Sequence, residues 1–188
     1  MQLSRRSLTA AALILASPIG PMIATSAHAD TREEATSKAI TALHELEASQ
    51  PRARFIARHA KAVLVFPSIL KAGFVFGGQT GNGVLLVRGK AAGYYNISGG
   101  SWGLQIGAQD FAYALFFMTD GAIDYLKKSE GFSAGTGPSI TVINAGAAAE
   151  ANTTTLSQDV YAFPFNGKGL MADLTLQGTK ITRIHHKD

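Results

Sequence analysis

The stretch Ala72-Gly-Phe-Val-Phe-Gly-Gly-Gln-Thr-Gly-Asn-Gly83, continued by Ser101-Trp-Gly-Leu-Gln-Ile-Gly-Ala108, decides the fold. Glycine recurs through it at 73, 77, 78, 81, 83, 89, 93, 99, 100, 103 and 107. Between the glycines stand Phe74, Phe76, Val84, Leu86, Tyr94, Tyr95, Ile97 and Trp102. A helix does not tolerate that much glycine, and a flexible linker lacks the bulky filling. A strongly bent antiparallel sheet uses both, glycine for turns, bulges and close backbone approach, and the large side chains for a buried face. Phe74 to Gln79 and Val84 to Arg88 read as strands joined by a hairpin turn at Thr80-Gly-Asn-Gly83. Tyr94 to Ser98 and Trp102 to Gln109 read as a second pair joined at Ser98-Gly-Gly-Ser101.

Upstream of this region the pattern turns helical. Thr31-Arg-Glu-Glu34 is a capping box, with Thr31 as N-cap and Glu34 three residues on. Ala35, Ala39, Ala42, Leu43 and Leu46 then form one narrow stripe, so the helix lies close on something flat. Pro51 starts a second helix to about Ala62. Arg54, Arg58 and Lys61 gather on one face of it, bordered by Phe55. No acidic residue occurs between Glu47 and Asp110. Such a face admits two readings, contact with an anionic membrane surface or a solvated face whose arginine stems cover the sheet. Ala62 to Phe66 is a strand stopped by Pro67, and Ser68-Ile-Leu-Lys71 a short turn pairing Ile69 and Leu70 with Lys71.

Downstream, Phe111 to Met118 is continuously apolar, a central strand or a short helix, with its place in the meander favouring strand. Asp120 caps a helix over 121–129. Strands follow at Ile140 to Asn144, Val160 to Phe165, Gly169 to Leu176 and Thr179 to Ile184. Helices first and a long run of strands after make the class α+β, with N-terminal helices packed on a curled, mostly antiparallel, barrel-like sheet.

Residues 1–29 read as an export signal. Arg5 and Arg6 precede the apolar Leu8 to Ala16, and Ala27-His-Ala29 fits the small-x-small cleavage pattern. Ser4-Arg-Arg-Ser-Leu8 also resembles the twin-arginine signal, with an ordinary secretory signal as the alternative. Residues 30–188 would then form a single domain, periplasmic or associated with the cell envelope. Losing Arg5 and Arg6 takes 17 basic residues to 15 against 13 acidic, a net charge of +2 in place of +4. So small a charge argues against nucleic acid as a partner. The chain has no cysteine, which excludes disulfides and thiolate chemistry. Outside the N-terminus no apolar run reaches membrane-spanning length.

The search for catalytic chemistry returns little. There is no Gly-x-Ser-x-Gly for a nucleophile. Adjacent His185 and His186 point different ways in a strand, which makes a poor metal site. Gly77 to Gly83 lacks the Gly-Lys-Ser/Thr ending and the following helix of a phosphate loop. Asp110, Asp120, Asp124, Asp159 and Asp173 are scattered over separate elements, with no glycosidase-type pair among them. Asp110 and Asp173 read as buried polar anchors. No enzyme activity, cofactor or metal is expected.

The order of motifs is informative. Ala60-Lys-Ala-Val-Leu-Val-Phe-Pro67, Lys71-Ala-Gly-Phe74, Gly78-Gln-Thr-Gly-Asn-Gly-Val-Leu-Leu-Val-Arg88 and Ser101-Trp-Gly-Leu-Gln-Ile-Gly-Ala-Gln109 occur in series. Met118-Thr119, Gly135-Thr-Gly137 and Tyr161 before Gly167-Lys-Gly-Leu170 complete it. The series, over about residues 35 to 185, resembles the SYLF domain, also called the Ysc84 or DUF500 family. It departs at Gly93-Tyr-Tyr-Asn-Ile-Ser98, where the family usually carries a Trp-Ser-Ala-Pro-like segment, and at Gly135-Thr-Gly-Pro-Ser139. The resemblance implies a lipid-binding module that meets acidic phospholipid through a basic, amphipathic N-terminal region, with actin linked to eukaryotic relatives. For an exported chain, actin and phosphoinositide-rich leaflets are not the expected partners. Arg54, Arg58, Lys61 and Lys71 would contact headgroups, and Phe55, Ile69 and Leu70 would insert. The rival expectations are a soluble carrier, with an apolar ligand lined by Phe74, Phe76, Tyr94, Trp102 and Phe111, and a scaffold binding protein at a sheet edge.

Overall fold

The computed structural model describes residues 31–74, 76–102, 107–128, 132–133, 137–143, 156–167, 176 and 178–185. The export signal, Asp173 and most of the strand expected over Gly169 to Leu176 lie outside them. Helices α1 (Arg32–Ser49) and α2 (Pro51–Ala57) lead into strands β1 (Ala62–Phe74), β2 (Phe76–Val87), β3 (Lys90–Trp102) and β4 (Gly107–Phe117). Helix α3 (Asp120–Lys128) follows, then the short β5 (Phe132–Ser133) and β6 (Ile140–Val142), β7 (Val160–Phe165) and β8 (Thr179–Arg183). The strands form one curled sheet in the order β5-β8-β3-β2-β1-β4-β7-β6. Among the described residues only the β6–β7 pairing is parallel. Class and layering are those the sequence predicts, as a half-barrel in which, among the described residues, the outermost strands β5 and β6 do not pair with each other.

The glycine-rich segment differs from its reading. Thr80 to Gly83 is no turn, because β2 runs straight through it, and β3 runs straight through Ser98 to Ser101. Gly81 and Gly83 serve a steric purpose. A Cβ on Gly83 would stand 2.5 Å from the Phe66 ring and 2.7 Å from the Val65 carbonyl oxygen. A Cβ on Gly81 would stand 2.6 Å from Ser68 O and 2.9 Å from Ile69 Cγ1. The two glycines let side chains of β1 fold flat over β2. The true β2–β3 turn is Arg88-Gly89, both at positive φ (51° and 76°), which matches the twist of a two-residue hairpin.

Pro67 does not end its strand either. Register slips between Val65 and Ser68 against β2, and between Phe66 and Ile69 against β4. A bulge is where a central strand accommodates a residue with no N–H. Strand β1 therefore continues through Ser68 to Lys71, the segment expected as a turn.

Each face of the sheet buries its own core. On one face Val63, Val65, Val84, Leu86, Ala114 and Phe163 meet Ala39, Ala42 and Leu46 of α1 and Ile56 of α2. The capping box is present, with Glu34 N–H donating to Thr31 Oγ1 at 3.2 Å. On the other face Leu64, Phe66, Leu85, Tyr95, Tyr113 and Leu115 meet α3 and Phe132. This second face is where the sequence reading would seat a carried ligand against Phe111. Among its described residues Phe132 packs edge-on to Phe117 and Tyr125, and Phe111 to Tyr113. Of the residues expected to line a ligand, Phe111 belongs to this packing. Tyr94 instead faces α1, its hydroxyl 3.1 Å from Thr36 Oγ1. The side chains of Phe74, Phe76 and Trp102 lie outside the description. Burial pushes the Tyr113 phenol up and raises that of Tyr95 too, where Arg183 opposes it.

Candidate lipid-contact surface

Helix α2 is short because its sequence supports two turns only. Pro51 occupies the first turn, Ala53 and Ile56 bury against the sheet, and the helix closes at Ala57. His59 and Ala60 N–H both reach back to Ile56 O, and Lys61 N–H then bonds Phe117 O as the chain enters the sheet. Lys61 is thus outside the helix, and the expected single face of Arg54, Arg58 and Lys61 does not form. Its ammonium pairs with the carboxylate of Asp120, the first residue of α3, and both side chains remain largely exposed. Such a pair is worth little, yet it engages the lysine locally.

Arg54 and Phe55 on α2 and Arg58 at its C-cap all stand exposed. Arg54 Nε donates to Glu47 O at 2.9 Å, at the carbonyl end of α1, which holds its stem down while the residue stays at the surface. Phe55 is 40% exposed, one of two large apolar side chains so exposed among the described residues. Its ring stacks on His59 at 4.7 Å. His59 Nδ1 lies 2.9 Å from Phe55 O. A carbonyl only accepts, so Nδ1 carries the proton. His59 belongs to this surface and was not among the residues the sequence singled out. Its i+4 spacing from Phe55 was the available signal.

The other three predicted residues lie elsewhere. Ile69 is fully buried inside the curl and cannot insert into a bilayer. Lys71, two residues on and therefore on the same side of the strand, is 8% exposed. Leu70 points to the opposite face and is 50% exposed. It stands eight residues up β1 from Ala62, about 25 Å of strand. Leu70 and Lys71 therefore do not share a headgroup with Arg58. The bulge at Pro67 sets which of these residues faces inward.

Near the α2 end of the sheet, Asp159 ties three elements together. Its carboxylate accepts Thr119 Oγ1 at 3.0 Å, Ser139 N–H at 3.0 Å and Ser139 Oγ at 2.9 Å. Thr119 in turn caps α3 through Ala122 N–H. The hydrogen bonds from Ser139, then Thr119, hold the Asp159 carboxyl below the usual carboxylate range. Asp110 is exposed, accepting Ser68 Oγ at 2.8 Å, and is no buried anchor. Among the described residues no cluster of three His, Asp or Glu could hold a metal, and no helix is long and apolar enough to cross a membrane.

Residues 98–187 match the family model Ysc84, described as "Las17-binding protein actin regulator". No match was found among curated proteins. The matched stretch opens in β3 and runs past β8, so it takes in β4, α3 and Asp159 but not α2. Through this C-terminal stretch the chain is similar to the Ysc84, or SYLF-domain, family.

Proposed function

We propose that the protein is a peripheral, non-catalytic lipid-binding protein of the cell envelope, attaching to anionic phospholipid through α2. The observation that carries this reading is the exposed Phe55 ring beside exposed Arg54 and Arg58. Similarity of residues 98–187 to a lipid- and actin-associated family supports it. Each arginine beside an anionic surface contributes about 1 kcal/mol. Covering the exposed part of Phe55 adds about 1 kcal/mol more. The sum is a weak, reversible and salt-sensitive attachment, with Lys61 contributing less because it is paired to Asp120. The export signal read in residues 1–29 supports an envelope setting, in which lipid rather than actin is the available surface. What the family description says of Las17 and actin is said of relatives.

Two rival roles fit the structure less well. A carrier would use Phe111 and its neighbours as a ligand wall, whereas Phe111 packs against Tyr113 within the core. An edge-binding scaffold needs a long free edge, whereas among the described residues the outermost strands β5 and β6 are two and three residues long. The test is co-sedimentation with vesicles of graded anionic content and salt. Pelleting should rise with anionic lipid and fall with salt. Equal binding to neutral vesicles in high salt contradicts the α2 mechanism.

A further inference from the structure

On the face of the sheet that carries α1, an open groove of about 630 Å³ lies where the helix crosses the strands. That is within the roughly 300–1,000 Å³ usual for small-molecule sites. Helix α1 supplies Lys38, Thr41 and Glu45, the β1 bulge Ser68, β2 Asn82, and the end of β7 Asn166.

The polar groups are held in place by bonds among themselves. Asn96 Nδ2 donates to Asn82 Oδ1 at 2.9 Å, with Gly81 O at 3.1 Å. Ser68 Oγ donates to Asp110 Oδ1 at 2.8 Å. Asn166, held in the left-handed region at φ 56°, donates from Nδ2 to Glu45 Oε2 at 3.1 Å. These bonds use one position each of Asn82 and Asn166, where a carboxamide has four, and Thr41 adds a donor and an acceptor.

Charge narrows the ligand class. The groove's cation, Lys38, is paired with Glu34 at 3.1 Å, and Glu45 brings a carboxylate into the same space. A phosphate site gathers cations or successive backbone N–H groups, and this groove does neither. Closely spaced neutral donors and acceptors, beside the small apolar patches of Pro67 and Ala42, complement a molecule that alternates hydroxyls with C–H faces. We propose that the groove binds a neutral oligosaccharide. This is a second site, independent of the reading of α2.

The test is amide chemical-shift titration of the full chain with maltotriose, cellotriose and chitotriose, and separately with inorganic phosphate. One trisaccharide at least should move the amides of Thr41, Ser68, Asn82 and Asn166 saturably, while phosphate leaves them unmoved. Thr41→Val and Asn82→Ala should each weaken that binding roughly three- to tenfold, the loss of one neutral hydrogen bond. Asn82→Ala also removes a partner of Asn96, so exposed Thr41→Val carries the test if the first variant misfolds. Thr41→Val should leave pelleting with anionic vesicles unchanged, which separates failure of this site from failure of α2. Vesicles of neutral galactolipid that displace the trisaccharide assign the sugar to a lipid headgroup; vesicles that do not assign it to a free glycan. The proposal is overturned if no trisaccharide shifts these amides, if phosphate shifts them, or if Thr41→Val binds unchanged.

Discussion

Gly83 has no side chain because Phe66 occupies the space one would need. Replacing it by alanine sets a Cβ against both an aromatic ring and the fixed Val65 carbonyl oxygen. The ring can swing but the carbonyl cannot move without disturbing the β1–β2 ladder. Gly83→Ala should therefore destabilise the fold by about 1–3 kcal/mol, read from urea unfolding. Gly89, where an added Cβ meets nothing, tests the other glycine role, a positive φ of 76°. Sequence reading found the right glycines and assigned Gly81 and Gly83 the wrong task. A glycine that makes room for a neighbour and one that makes a turn look alike until register is known. Arg88 was the opposite case, a turn residue at positive φ with nothing in its chemistry to announce it.

At the scale of elements, α1 was legible and α2 only half so. The capping box and alanine stripe of α1 are local signals, and both are present. The end of α2 depends on Lys61 N–H joining Phe117 O, a contact 56 residues away in sequence, so Lys61 was carried onto a helical face it does not occupy. Ile69 was misjudged for a related reason. A one-residue slip at a bulge exchanges the two faces of a strand, and only pairing with β2 and β4 reveals the slip. The groove residues were missed because they are common polar types spread over α1, β1, β2 and the end of β7. Asp159 joins α3, β6 and β7, and Asp159→Asn should cost about 1–2 kcal/mol near neutral pH by weakening its charged hydrogen bonds. Its folded pKa lies below its unfolded value, so the contribution is present above about pH 4 and lost as pH falls through the folded pKa. The stability gap between wild type and Asp159→Asn should be flat from about pH 5 to 7 and close in acid. A gap that widens in acid contradicts the assignment.

For the whole molecule, one sheet serves two cores. Val63 and Val65 bury under α1 while Leu64 and Phe66, alternating with them on the same strand, bury under the inner face. Neither core can be lost without breaking β1, so unfolding should be a single cooperative transition. Far-ultraviolet circular dichroism and aromatic near-ultraviolet signals should give one midpoint, and two separated midpoints would show the layers to be independent. The same architecture leaves α2 at one end of β1 and the polar groove at the bulge, so that loss of one function need not disturb the other. The most direct measurement on the central claim is pelleting of Arg54→Glu/Arg58→Glu with anionic vesicles at low salt, beside wild type and Phe55→Ser. Reversal of two cations at about 1 kcal/mol each should reduce vesicle affinity by at least tenfold, with the folded circular dichroism spectrum retained despite loss of the Arg54–Glu47 hydrogen bond. Unchanged pelleting of the double variant would contradict the account and move the membrane contact away from α2.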